Sequence, residues 1–357
     1  MVTSKVSFPS DSSLFFKTLK TRVENYFTSQ GVRPTGDWRL LVKMIVIGAT
    51  AVTCYASVLF LSPPIWLFIP LCLVFGLSLA GVGFNMMHDG SHGSFSRKKW
   101  VNWFMAQTLS LMGASAFHWK TKHNTIHHTY TNIAGADDDI DIQPWMRADL
   151  NQPRRALHRF QHFYGFFLYA IMHSFWILFA DFGKYFTGRI SGIKLPPMGF
   201  WDHVIFWMTK VTYVALALVL PIMILGVGKG LFAYALVSGT AGFVISVIFQ
   251  LAHVVEKAEF PEPKGDSGKM EMEWAIHQVR TTANFSTRNP FITWFVGGLN
   301  FQVTHHLFPK VSHIHYPRIN GLVKKTCEEF KITYNEYQSI FGAVWSHLRH
   351  LRQMGMS

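Results

Sequence analysis

Eighteen histidines occur in 357 residues, and eight fall in short clusters or at the end of an apolar run. The clusters are His88-Asp89-Gly90-Ser91-His92, His123-Asn124-Thr125-Ile126-His127-His128 and Gln302-Val303-Thr304-His305-His306; His253 stands alone at the end of Gln250-Leu251-Ala252-His253. Histidines four apart project from one face of a helix, as do His88 with His92 and His123 with His127. His128 adds a donor about 100° round that helix. A single metal rarely takes more than about six ligands and must leave a position open for chemistry. Eight imidazoles therefore predict two metals, each with three or four nitrogens and a free site. Imidazole suits zinc, copper, iron and nickel. Cys54, Cys72 and Cys327 lie away from the clusters, which disfavours a thiolate zinc or iron–sulfur site. Two irons beside a bilayer suit activation of O2 on a substrate dissolved in that bilayer.

The other histidines carry weaker signals. His158 and His162 share an HxxxH spacing that reads as an interfacial helix face. His173, His347 and His350 read as structural or solvated, and His118 and His203 give no spacing signal.

Positioning so many imidazoles falls to a membrane scaffold. Hydrophobic residues make up 49% of the chain and charged residues only 15%, against ~25% charged in average soluble domains. Four apolar runs, about residues 40–61, 65–87, 211–228 and 231–252, each exceed the ~30 Å hydrocarbon thickness at ~1.5 Å per residue. They form two hairpins, joined by Ser62-Pro63-Pro64 and by a turn near Gly228-Lys229-Gly230. The predicted fold is an all-α integral membrane protein. Its four transmembrane helices lie in two hairpins, with a cytoplasmic helical cap holding a di-metal site. Residues 1–39 form an N-terminal amphipathic segment on the membrane, with Ser12 or Ser13 as helix cap. Residues 40–320 form the membrane domain, and 321–357 a C-terminal cytoplasmic helical tail. Two further apolar stretches, 101–117 and 163–180, are read as interfacial or re-entrant, because a crossing there would separate the histidine clusters.

The net charge of +13 is spread over both termini and the two large polar segments, while the short hairpin turns hold only Lys229. The positive-inside rule then places both termini and the site on the cytoplasmic side, in a bacterial inner membrane or the endoplasmic reticulum. The charge needs no nucleic acid; it suits anionic lipid and an acidic electron carrier.

The ordered set HDGSH, HNTIHH and QVTHH between paired apolar hairpins resembles the membrane fatty acid desaturases over roughly residues 40–320. Trp119-Lys120…Lys122-His123-Asn124…His127-His128 and Gly297-Gly298-Leu299-Asn300-Phe301-Gln302…His305-His306-Leu307-Phe308-Pro309 resemble the second and third boxes of the front-end (linoleoyl-CoA desaturase-like) acyl desaturases. The resemblance implies two Fe ions held by His88, His92, His123, His127, His128, His253, His305 and His306, with O2 as co-substrate. It places Gln302 at the metals without a firm bond. The implied reaction removes two vicinal hydrogens from an acyl chain, on CoA or lipid, leaving a cis double bond and water. The His-Pro-Gly-Gly haem motif of fused cytochrome b5 domains does not occur in this sequence. A separate electron donor is therefore expected, such as ferredoxin, or cytochrome b5 with its reductase. Phe249 stands where the resemblance predicts Asn, with Gln250 as a substitute.

Metal-bound imidazoles usually donate their other N–H to a carboxylate or carbonyl. Asp89 and Asp137 are the preferred partners, and Asn284 and His277 are further candidates near the site. Asp138 is read as a solvated face, and His313 and His315 as possible supports. Gly81 and Gly83 suit either close approach of the acyl chain or helix packing. Two other activities fit parts of the pattern: a membrane di-iron hydroxylase, and a metal transporter or sensor. The latter needs ligands within the spans, which are almost free of polar residues.

Overall fold

The computed structural model describes residues 6–9 and 14–357; Ser12 and Ser13, the expected caps, lie outside them. Helices dominate. Two small sheets accompany them, Arg189–Ile190 antiparallel to Ile193–Lys194 and Asn284–Phe285 parallel to Glu336–Tyr337.

Among the described residues five helices are long and apolar enough to cross a membrane: Trp38–Phe60, Ile65–His92, Ala156–Thr187, Phe200–Leu225 and Val227–His253. Asp37 caps the first, its side chain accepting the Arg39 N–H. Ser62-Pro63-Pro64 turns the chain, with Ser62 at φ +43°, and the next helix begins at Ile65. Lipid-length apolar sequence explains why so many large side chains here, such as Ile45, Trp66, Met223 and Phe232, are exposed.

The second hairpin turns at Gly226 (φ +81°), so Gly228-Lys229-Gly230 lies inside a helix rather than forming the expected turn. Only glycine enters that left-handed region without penalty, which decides the position. Gly230 and Gly242 then permit close helix contacts. A Cβ at Gly242 would lie 2.9 Å from the carbonyl oxygens of Tyr169 and Ala170. Gly81 packs against Ile47, which is helix packing.

The stretch 101–117 breaks into the short helices Lys99–Ala106, Thr108–Leu111 and Ala116–Lys120, with Gly113 at φ +89°. Ala156–Thr187 differs: it is a single long helical run with a π segment at Trp176–Ala180. Its exposed stripe of Phe163, Phe167, Ile171, Phe175 and Phe179 repeats every four residues, while Tyr169, His173, Ile177 and Asp181 are buried opposite. Both of its ends are tethered to one loop. His158 Nε2 lies 2.9 Å from Pro144 O, and Lys184 Nζ donates to Asp138 Oδ2 at 3.2 Å.

The N-terminal helix Leu14–Gln30 corrects the expectation that its apolar face lies on lipid. Phe15, Leu19 and Val23 are buried against Ile319, Val323 and Cys327 of the helix Tyr316–Glu329. Protein covers the stripe because the partner helix presents a matching one. The C-terminal helix Ile340–Met356 is likewise integrated. His347 donates from Nδ1 to Val254 O at 2.6 Å and accepts from Tyr169 Oη at 2.9 Å, and His350 donates to Ala148 O.

Candidate metal centre

Two π-helical segments set up the site. One, Gly83–Met87, immediately precedes His88; the other, Thr121–His127, contains His123 and His127. Such segments break the α-helical register and frequently occur at functional sites. The third cluster sits on the short helix Gln302–Leu307, and His253 ends the helix Val227–His253.

These elements bring the imidazoles together in two sets. His88, His92, His123 and His305 offer ring nitrogens all within 4.8 Å of one another, and so do His127, His253 and His306. His305 and His306 serve different sets because adjacent helical residues project about 100° apart. His123 and His127 belong one to each imidazole set, yet their rings stack at 5.3 Å and with Asp139 they form a third group whose ligand atoms lie within 4.8 Å of one another. His128 lies between the sets. Its Nε2 is 3.2 Å from His123 Nε2, and its ring is 4.7 Å from that of His305 and 4.4 Å from that of His306.

The tautomers favour metal ligation. His127 Nδ1 donates to Asp137 Oδ2 at 3.0 Å, His305 Nδ1 pairs with Tyr316 Oη at 3.0 Å, and His306 Nδ1 donates to Gln278 Oε1 at 2.7 Å. The Nε2 atoms of these three rings are buried without a hydrogen-bond partner, as are His92 Nε2 and both nitrogens of His88. Unpaired buried nitrogens are costly, and their convergence fits a cation that would accept their lone pairs.

Burial, followed by the mutual repulsion of neighbouring imidazoles, pushes His123, His128, His305 and His306 well below the usual histidine range. They are held neutral, the form that ligates metal. His127 differs: burial pulls it down, but the Asp137 and Asp139 carboxylates outweigh that and raise it.

Asp137 also accepts the backbone N–H groups of Asn132 and Asp139, so the loop after the second cluster folds around one carboxylate. Asp138, expected on a solvated face, instead accepts from Lys184 and Ser191 and pairs with Lys122. Asp89 lies 4.0 Å from His88 Nδ1 and accepts from Ser312 Oγ at 2.8 Å and His313 Nδ1 at 3.0 Å, joining the first cluster to the segment after the third.

Gln302 lies beside the second set, with its amide nitrogen 3.0 Å from His253 Nε2. His277 stands outside both sets and donates from Nε2 to Thr131 O at 2.8 Å. Asn284 does not reach the imidazoles; it accepts the Val303 N–H and donates to Asn320, fixing the start of the third-cluster helix. Phe249, where Asn was expected, packs its ring 5.1 Å from His127 and 5.0 Å from His253. Trp119 stacks on His123 at 4.4 Å.

Sequence reasoning missed Tyr316, Gln278, Trp274 and Lys43. Trp274 donates to His128 O, and Lys43 Nζ lies 3.0 Å from His313 Nε2. Only Gln278 had a local signal, as the neighbour of the candidate His277.

The profile of the family described as "Fatty acid desaturase" matches residues 64–338. The chain is 36% identical to the "sn-1 linoleoyl-lipid 6-desaturase" of Arthrospira platensis, over 99% of this chain and 96% of that protein. It is 36% identical to the protein of the same description from Synechocystis sp., over 96% of this chain and 95% of the other. It is also 36% identical to the "Acyl-lipid (8-3)-desaturase" of Physcomitrium patens, over 96% of this chain and 72% of that protein.

Proposed function

The chain belongs to the fatty acid desaturase family, and from that membership we propose a front-end acyl desaturase that uses two irons and O2. The carrying observation is the pair of buried imidazole sets with unpaired nitrogens. We assign His88, His92, His123 and His305 to one iron, His127, His253 and His306 to the other, and His128 between them. Gln302 borders the second iron. When bound, the irons would activate O2, the oxidant that takes hydrogen from an unactivated C–H bond. The overall balance is one –CH2–CH2– unit, O2, two electrons and two protons giving –CH=CH– and two waters.

The chain's own residues hold this centre in place. Asp137, Tyr316 and Gln278 orient three rings through their Nδ1 atoms. Phe249 and Trp119 wall the cluster with apolar faces. The two electrons would come from a separate acidic carrier, ferredoxin or cytochrome b5, met by a basic face.

We place the site and both termini on the cytoplasmic side, with four spans and a helical cap. Parity supports this. The His253 ring is 4.6 Å from that of His127, so an even number of crossings separates them. Three long apolar helices lie between, and two of them form the tight Gly226 hairpin. Ala156–Thr187 is then the helix that stays at the interface. Both of its ends bond one short loop, His158 to Pro144 and Lys184 to Asp138, which supports keeping both ends on the same side.

Lipid profiling of a host expressing the chain, with double bonds located chemically, tests the activity. Loss of two hydrogens from the product supports desaturation; gain of one oxygen identifies a hydroxylase instead. His127→Ala or His305→Ala should abolish turnover and lower bound iron while membrane insertion persists. Full activity in either variant would contradict the ligand assignment.

A further inference from the structure

His118, which carried no spacing signal, is buried with both ring nitrogens lacking a hydrogen-bond partner. It lines a cavity of about 440 Å³ together with Lys184, Arg189, Lys194 and His203. That volume suits a small-molecule site. Lys184, Arg189 and Lys194 contribute to its lining, and no Asp or Glu does. Lys184 is shared with Asp138, which Lys122 and Ser191 also engage, so Arg189 and Lys194 are the cations left to the cavity. A basic cavity without acids selects an anion, and the guanidinium fork with an ammonium group matches phosphoryl oxygens.

Its position is informative. Phe186, Phe200 and Trp201 are exposed in the segments that form the cavity, as aromatic side chains at a membrane–water boundary are. His118 adjoins Trp119, whose ring stacks on His123, and His118 precedes His123 by roughly 7.5 Å of helix at ~1.5 Å per residue. On the other wall, Lys184 bonds Asp138, the neighbour of the Asp137 that holds His127. The cavity therefore borders the segment that carries the second histidine cluster and the loop that orients His127.

We propose that this cavity binds a phosphoryl group of the acyl carrier, anchoring the carboxyl end of the substrate so that only its front part reaches the metals. The assignment rests on the acyl desaturase reading and narrows it to a phosphorus-bearing carrier. His118 contributes one N–H to the anion from a buried ring whose nitrogens have no other partner. Arg189 and Lys194 supply charge at the mouth.

The test is equilibrium binding to the detergent-solubilised full chain, measured without turnover. The probes are CoA, a short-chain phosphatidylglycerol and an uncharged short-chain galactosylglycerolipid. Saturable binding of CoA alone identifies a thioester carrier, and binding of the phospholipid alone identifies a lipid carrier; binding of both reflects the shared phosphoryl group. Each outcome supports the site if the double variant Arg189→Gln/Lys194→Gln, and separately Lys194→Glu, weakens that binding about tenfold with bound iron unchanged, as expected for lost charge-assisted hydrogen bonds. No saturable phosphoryl binding, equal affinity for the galactolipid, or unchanged affinity in both variants would overturn it. Failure of the desaturase reading would show separately, as an absence of new double bonds in lipids made with the wild-type chain.

Discussion

Asp137 Oδ2 accepts the Nδ1–H of His127 at 3.0 Å, and both side chains are completely buried. That pairing fixes the tautomer and aims Nε2 at His253 and His306. Replacing Asp137 with Asn keeps the shape but removes the charge, and it opposes the N–H groups of Asn132 or Asp139. Metal affinity of the second set should fall by about ten- to a hundredfold. Metal analysis of the purified protein across a chelator series checks this; wild-type retention would refute the role.

Tyr316 plays a comparable part for His305, from a helix outside the histidine clusters. Tyr316→Phe retains the ring that packs with Phe301, Val303 and Ile319, but loses the hydroxyl. Metal bound at the first set should weaken by about tenfold or more while the melting temperature stays close to wild type. A large loss of thermal stability with unchanged metal content would point to packing instead.

Lys210 and Asp181 form a buried ion pair of 2.7 Å between two long apolar helices. Lys210 also donates to the carbonyls of Gly113 and Ile177, and Asp181 accepts from Ser115 and Trp176. The pair thus ties the helices to the cap of the segment leading into the second histidine cluster. Lys210→Met strands the carboxylate and should cost about 3–5 kcal/mol. The double change with Asp181→Asn should recover part of that loss. Thermal unfolding in detergent measures both, and a single variant as stable as the double one would exclude a paired charge.

His347 gives a pH dependence. Burial lowers its pKa to about 4, and its neutral ring both donates to Val254 O and accepts from Tyr169. The unfolded chain binds a proton near pH 6.5, the folded chain only near 4. Its contribution is therefore full above pH 6.5 and declines as pH falls towards 4, by about 3 kcal/mol in all. In His347→Gln the steepness of stability against pH over that window should shrink. An identical profile in wild type and variant would remove His347 as a cause.

The histidine types and spacings, and the lipid-length apolar runs, were legible in the sequence because both are local properties. Helical periodicity reports which side chains share a face, and hydropathy reports where lipid or protein must cover them. Asp137 was legible for the same reason, lying ten residues from its partner.

What the fold alone decided depends on segments far apart in the chain. His305 and His306 divide between two sets, and Tyr316 and Lys43 join the network, only once distant helices meet. The stripe of Leu14–Gln30 is as apolar as a lipid-facing one, and only the complementary face of Tyr316–Glu329 determines that protein covers it. Composition likewise makes Ala156–Thr187 look like the other long helices; only the fold shows both its ends bonded to one loop, at Asp138 and Pro144. Local pattern specifies what a segment can bury, but the partner that buries it is chosen by long-range packing and the satisfaction of buried polar groups.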